Sequence, residues 1–137
     1  MFDRSPEGGV LEAAATAGAG VAVFSPLAQG RLTDRYLNGV PEGSRATRSA
    51  YLSADDVTDD LTARARALNE VAAGRGQTLA QLALRWVLRD ERVTTAIIGA
   101  SSVAQLEANL QALAGPDLTA DEIAAIEPHA AAAGSSL

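Results

Sequence analysis

The sequence contains no cysteine and no lysine, and only one histidine, His129, one tryptophan, Trp86, and one methionine, Met1. Without cysteine there is no disulfide framework, no thiolate nucleophile and no cysteine-based metal site, and a reducing cytoplasm is the compartment that fits best. Long hydrophobic runs are missing as well. The one extended uncharged stretch, Ala13 to Gly30, is interrupted by Gly18, Gly20, Ser25, Pro26, Gln29 and Gly30, so it does not read as a membrane span. The opening MFDRSPEGG has neither the basic start nor the apolar stretch of an export signal.

At 137 residues, 47% hydrophobic and 20% charged, the chain has the size and composition of one soluble globular domain rather than of a disordered segment. Its net charge of −6 argues against general affinity for nucleic acid or anionic membranes, both of which require a basic surface. All eleven basic residues are arginine. Four of them (Arg31, Arg35, Arg45, Arg48) face only Asp34 and Glu42 between positions 31 and 48, leaving a local charge of +2.

Hydrophobic spacing predicts the elements. Gly9 to Ala17 is a short helix that stops at Gly18 and Gly20. Val21-Ala22-Val23-Phe24 and Thr94-Thr95-Ala96-Ile97-Ile98 are short runs lacking polar alternation, which predicts strands covered on both faces, as in parallel sheets. About 70 residues separate them, enough for the crossover that parallel strands require. Arg31 to Ser53 reads as a long loop with a helical turn at Leu32 to Leu37. Val57, Leu61, Leu68, Val71 and Ala72 form one helical stripe. Leu79, Leu82, Ala83, Trp86 and Val87 form a second, opened by the capping box Thr78-x-x-Gln81, with Trp86 in the core. Val103, Leu106, Leu110 and Leu113 mark a third helix, from Ser102-x-x-Gln105 to Gly115-Pro116. A fourth starts at Thr119-x-x-Glu122 and turns Ile123 and Ile126 inward. His129 reads as a surface residue, and the last residues, AAAGSSL, as a frayed tail.

This is an α/β pattern with two parallel strands, and two strands do not make a stable sheet. Each would be left with an unpaired edge, so further strands are expected, N-terminal to these. Two loops carry the chemistry. Ser25-Pro26-Leu27-Ala28-Gln29-Gly30 follows the first strand and Gly99-Ala100-Ser101-Ser102 the second, the strand ends where α/β barrels build their sites. The second loop opens a helix, whose free N–H groups and dipole favour an anion. Plainer readings stand beside this one: Ser-Pro-Leu occurs in many loops, Ser102-x-x-Gln105 serves equally as a cap, and loop arginines are commonly just solvated.

Three segments, GAGVAVFSPLAQGRLTDRYLNGVPEGSRA, LNEVAAGRGQTLAQLALRWVLRDERVTTAIIGASSVAQLEANLQAL and LTADEIAAIE, together resemble the aldo/keto reductase family. The similar branch contains potassium-channel beta subunits and glyceraldehyde 3-phosphate reductase-like enzymes. The resemblance runs from Met1 to about Pro128, which implies a domain at 1–128 and a flexible tail at 129–137. It implies the C-terminal part of a (β/α)8 TIM barrel, with the two strands as the seventh and eighth, and NADPH as the partner small molecule. By the same resemblance, Phe24, Ser25, Pro26, Leu27, Ala28 and Gln29 wrap the cofactor pyrophosphate. Arg35 and Arg45 reach the adenosine phosphates, and Gly99, Ser101, Gln105 and Asn109 hold the adenosine ribose, its 2′-phosphate and the adenine.

Two departures accompany it. Ala108 stands where similar proteins tend to carry a glutamate that contacts the adenosine, and Gly43 replaces a bulkier residue. The family's proton donor is a tyrosine tuned by a lysine, an aspartate and a histidine from earlier strands. A chain without lysine cannot assemble that set from its own residues, and Tyr36 and Tyr51 fall where the family has no donor. The expectation is therefore a C-terminal fragment of an NADPH-dependent carbonyl reductase, inactive alone, that keeps the cofactor's adenosine and pyrophosphate site. Its partner would be the missing N-terminal half of the barrel. The alternative is a non-catalytic nucleotide-binding or partner-docking module.

Overall fold

The computed structural model of the chain describes residues 1–41 and 57–130. Arg45 and the other positions from 42 to 56, and the tail at 131–137, lie outside the described residues. In chain order the helices are α1 (Val10–Thr16), α2 (Asp59–Gly74), α3 (Leu79–Val87), α4 (Val103–Leu110) and α5 (Ala120–Ala130), with strands β1 (Val21–Phe24) and β2 (Val93–Ile97). Short 3-10 turns occupy Ser5–Gly8, Ala28–Gly30, Asp34–Tyr36 and Gln111–Leu113.

β1 and β2 pair in parallel, with Ala22 opposite Thr95, Val23 opposite Ala96 and Phe24 opposite Ile97. The crossover between them runs through α2 and α3, as the long separation predicts. At the start of the pair the register shifts by a bulge that leaves Thr94 as the extra residue. Its Oγ1 accepts the Val21 N–H at 3.2 Å. Glycine at position 20 makes room for that hydroxyl, because a Cβ there would stand 2.8 Å from Thr94 Oγ1.

The core lies among the helices rather than on the sheet. Leu68 and Ala72 of α2, Leu79, Leu82, Ala83 and Trp86 of α3, Ile126 and Ala130 of α5, and Leu32 from the loop after β1 form one buried cluster. The predicted stripes of α2, α3 and α5 therefore face inward, and Trp86 is buried as its spacing requires. Thr78 caps α3 with the full reciprocal box: its Oγ1 accepts the Gln81 N–H while the Gln81 side chain accepts the Thr78 N–H at 2.9 Å.

One expectation about burial does not hold within this chain. The strands are not covered on both faces: Val21, Val23, Val93 and Ala96 are half-buried, whereas Ala22, Phe24, Thr95 and Ile97 are exposed. Phe24 keeps 72% and Ile97 60% of its surface in solvent. The reason is that the helices cover only one side of a two-stranded sheet, and nothing among the described residues covers the other. The third stripe also points outward. Val103 is 73% exposed and Leu113 58%, with Leu106 and Leu110 between them open as well, while the buried positions of this segment are Asn109 and Ala112.

A charged lattice ties the first residues to the helical layer. The Arg4 guanidinium donates to Glu127 of α5 and to Glu7, and Arg89 donates to Glu7 at 3.2 Å. Both arginines flank the Trp86 ring, Arg89 at 3.7 Å and Arg4 at 5.3 Å from its centroid. Arg75 pairs with Glu122, and Arg85 donates to the Gly115 carbonyl at 2.6 Å, which fixes the chain between α4 and α5.

Candidate functional site

The parallel pairing of β1 with β2 sets the geometry of the site. Because Phe24 and Ile97 are register partners, residues 25–30 and 99–102 leave the sheet side by side at its C-terminal end.

The first loop is strained. Ser25, Ala28 and Gln29 hold φ values of 49°, 48° and 60°, the left-handed region that side-chain-bearing residues seldom occupy. Each such residue costs on the order of 1–3 kcal/mol and persists only where surrounding contacts impose it. Those contacts are present. Pro26 is buried, Leu27 and Ala28 pack on the core, and Leu32 is fully buried beyond them. The Arg31 Nε donates to the Ala28 carbonyl at 3.0 Å, and the Thr33 hydroxyl donates to the Gly30 carbonyl at 2.6 Å. Gly30, at φ 97°, passes over the buried ring of Tyr36, which would meet a Cβ there at 3.3 Å. Arg35 stands exposed in the adjoining 3-10 turn, and its guanidinium makes no ion pair among the described residues.

The second loop runs from Gly99 into α4. Ser102 caps the helix, its Oγ accepting the Gln105 N–H at 3.2 Å. The Gln105 Oε1 turns back to accept the Ser101 N–H at 2.7 Å and the Ser101 hydroxyl at 2.9 Å. The first-turn N–H groups of Val103 and Ala104 have no intrahelical acceptor, as at any helix start. One turn further on, Asn109 is only 5% exposed, and its Nδ2 has no hydrogen-bond partner among the described residues. An unmet buried donor of this kind costs about 1–3 kcal/mol. Carboxylates held below their ordinary range stand elsewhere in the molecule. Hydrogen bonding from Arg92 holds the Asp90 carboxyl down at about 2, and Glu122 is lowered by the Thr119 N–H and by Arg75.

The sequence model of the Aldo/keto reductase family matches residues 1–131. The chain belongs to the aldo/keto reductase family. It is 44% identical over 127 residues to the L-glyceraldehyde 3-phosphate reductase of Escherichia coli strain K12, covering 90% of this chain and 37% of that one. It is 37% identical over 110 residues to a putative voltage-gated potassium channel subunit beta of Schizosaccharomyces pombe, covering 77% of this chain and 32% of that one. An aldo-keto reductase structure from Bacillus halodurans superposes with a TM-score of 0.68 at 31% identity, over 97% of this chain and 41% of that one. The glycerol dehydrogenase of Gluconobacter oxydans, at 23% identity, shares the fold with a TM-score of 0.73, over 93% of this chain and 39% of that one. The chain thus spans well under half the length of these relatives.

Of the residues that the aldo/keto reductase resemblance singles out, Phe24 to Gln29 and Gly99, Ser101 and Gln105 are brought to one end of the strand pair. Asn109 lies one turn along α4 from Gln105, Arg35 is carried on the loop after β1, and Arg45 falls outside the described residues. Sequence reasoning missed the residues that brace these loops. Arg31 reads as one more loop arginine, and Gln81 reads as a cap residue only. Its Nε2 also donates to the Ala108 carbonyl of α4 at 2.7 Å, a long-range bond that no local pattern announces.

Proposed function

We propose that this chain is the C-terminal portion of an NADPH-dependent aldo/keto reductase, supplying the last two strands of a (β/α)8 barrel and holding the adenosine and pyrophosphate end of NADP(H). The observation that carries this reading is the juxtaposition of two loops at the C-terminal end of the strand pair. One is held in a left-handed backbone conformation and the other opens a capped helix. Strained backbone beside a helix N-terminus is a place to receive phosphates.

The residues present fit such a ligand. The Ser25–Gln29 backbone would line the pyrophosphate, with the exposed Arg35 adding positive charge. Ser101 gives its hydroxyl proton to Gln105 in this structure, so bonding a 2′-phosphate would turn it toward the N–H groups of Val103 and Ala104. The unmet Asn109 Nδ2 is a donor awaiting an acceptor such as an adenine ring nitrogen. That atom is closed to solvent, so an acceptor reaches it only after a neighbouring side chain shifts. The bound nicotinamide would supply the hydride. Protonation of the carbonyl oxygen needs a tyrosine and its lysine partner, and this sequence has no lysine to tune one. In this reading the chain anchors the cofactor, and the proton comes from the barrel's other strands.

Titrating the 137-residue chain calorimetrically with NADPH, NADH and 2′,5′-ADP tests the reading. Saturable binding of NADPH and 2′,5′-ADP, weaker binding of NADH, and no oxidation of NADPH on adding an aldehyde are expected. Absence of saturable 2′,5′-ADP binding at millimolar concentration would overturn the cofactor assignment. Aldehyde-dependent oxidation by material free of host reductases would overturn the division of labour.

A second reading rests on the open apolar surface. Phe24 and Ile97 on the bare sheet face and Val103, Leu106, Leu110 and Leu113 on α4 form the kind of surface that folded proteins cover. This favours a docking role, in which the N-terminal half of the barrel covers those residues. Co-expression with the N-terminal portion of a relative is expected to yield a stable complex that reduces carbonyls. No complex would remove this reading.

A further inference from the structure

The bond between Gln81 and Ala108 ties the cap of one helix to the body of another. Gln81 is buried at the third position of α3, and both ends of its amide are committed. Oε1 accepts the Thr78 N–H at 2.9 Å, completing the capping box, and Nε2 donates to the Ala108 carbonyl at 2.7 Å. Ala108 immediately precedes Asn109, whose unmet amide is the deepest polar group of the candidate site. Further along, Arg85 and Arg75 hold the carbonyls of Gly115 and Pro116, so that end is fixed independently. Gln81 is thus the polar tie that sets where the middle of α4, with Asn109 and Gln105, stands relative to the helical core.

We propose that Gln81 is a positioning residue for ligand binding: through the Ala108 carbonyl it holds α4 where Asn109 can meet the adenosine end of the cofactor. This rests on the cofactor reading above. The amide's two ends make the idea separable from simple helix capping. A glutamate at position 81 still accepts the Thr78 N–H, as capping boxes commonly use, but cannot donate to Ala108 and instead faces that carbonyl with a carboxylate. Removing the Thr78 hydroxyl does the opposite, weakening the cap while leaving the bridge intact.

The test measures 2′,5′-ADP binding by calorimetry for the unaltered chain, Gln81→Glu and Thr78→Ala, under conditions where circular dichroism shows each fully folded. The Asn109 side-chain amide is followed by NMR in parallel. Gln81→Glu is expected to bind about tenfold more weakly, the equivalent of one hydrogen bond's positioning. Its Asn109 resonance should shift before any ligand is added. Thr78→Ala should be less stable yet bind like the unaltered chain. Equal affinity for Gln81→Glu and the unaltered chain, or equal losses in both variants, would overturn the proposal. If Gln81→Glu fails to fold, Gln81→Met, neutral and of similar length, is judged against Thr78→Ala by the same criterion. Failure of the unaltered chain to bind 2′,5′-ADP at all would instead mark failure of the cofactor reading beneath it.

Discussion

Substituting leucine for Asn109 should move folding and ligand binding in opposite directions. The Asn109 Nδ2 is buried without an acceptor among the described residues, in a side chain only 5% exposed. An unsatisfied buried donor costs about 1–3 kcal/mol, and an apolar group of similar shape does not incur that penalty. Leucine is somewhat bulkier, and crowding offsets part of the gain. The net expectation is a stabilisation of about 1 kcal/mol, which for a chain of this size raises the thermal midpoint by roughly 3–5 °C. Affinity for 2′,5′-ADP should fall at least tenfold if, as proposed, Asn109 is the donor to the adenine. Thermal melts by circular dichroism and calorimetric titration on the same preparation read both quantities. A midpoint lowered by several degrees would refute the reasoning, since it would show that the amide is needed by the fold. Unchanged affinity would show that the amide does not face the ligand.

Other outcomes follow from the same geometry. Leu68→Ala, at a fully buried site between α2 and its neighbours, should cost about 2–5 kcal/mol, read from urea unfolding followed by the fluorescence of the single Trp86. Gly20→Ala should destabilise by about 1 kcal/mol or more, because its Cβ would stand 2.8 Å from Thr94 Oγ1. The loss should shrink when measured in a Thr94→Ala background, and equal losses in both backgrounds would count against that clash. Asp90 is held at about 2 by hydrogen bonding from Arg92, below its ordinary 3.8, so its contribution to stability is complete above about pH 4 and fades as pH falls toward 2. Asp90→Asn should flatten the acid side of the stability profile within that window, which urea midpoints taken at successive pH values would show. Leu110→Lys, on the exposed stripe of α4, should change stability by less than about 0.5 kcal/mol while reducing self-association in analytical ultracentrifugation.

The helices were legible because their apolar positions recur at spacings of three and four and their ends carry explicit signals. Thr78 and Gln81 form the capping box that their spacing predicts, and Leu79, Leu82 and Trp86 are buried as expected. The stripe Val103, Leu106, Leu110 and Leu113 has the same spacing and yet lies in solvent. Periodicity reports that a face is apolar, not that this chain supplies what covers it. The strands show the same limit, since an all-apolar run such as Val21 to Phe24 announces a strand meant for two covered faces, and only one is covered here.

Local sequence determined the element types, the helix caps, the parallel crossover and the family, because each depends on short-range spacing or on residue identity in order along the chain. Tertiary structure alone decided the register that sets Phe24 opposite Ile97 and that Ser25, Ala28 and Gln29 are forced into the left-handed region. It also decided that Asn109 is buried with an unmet donor and that the Gln81 amide reaches Ala108. These depend on contacts between residues distant in sequence, where register, burial and the direction of a side chain are set by the packing of whole helices rather than by neighbours along the backbone.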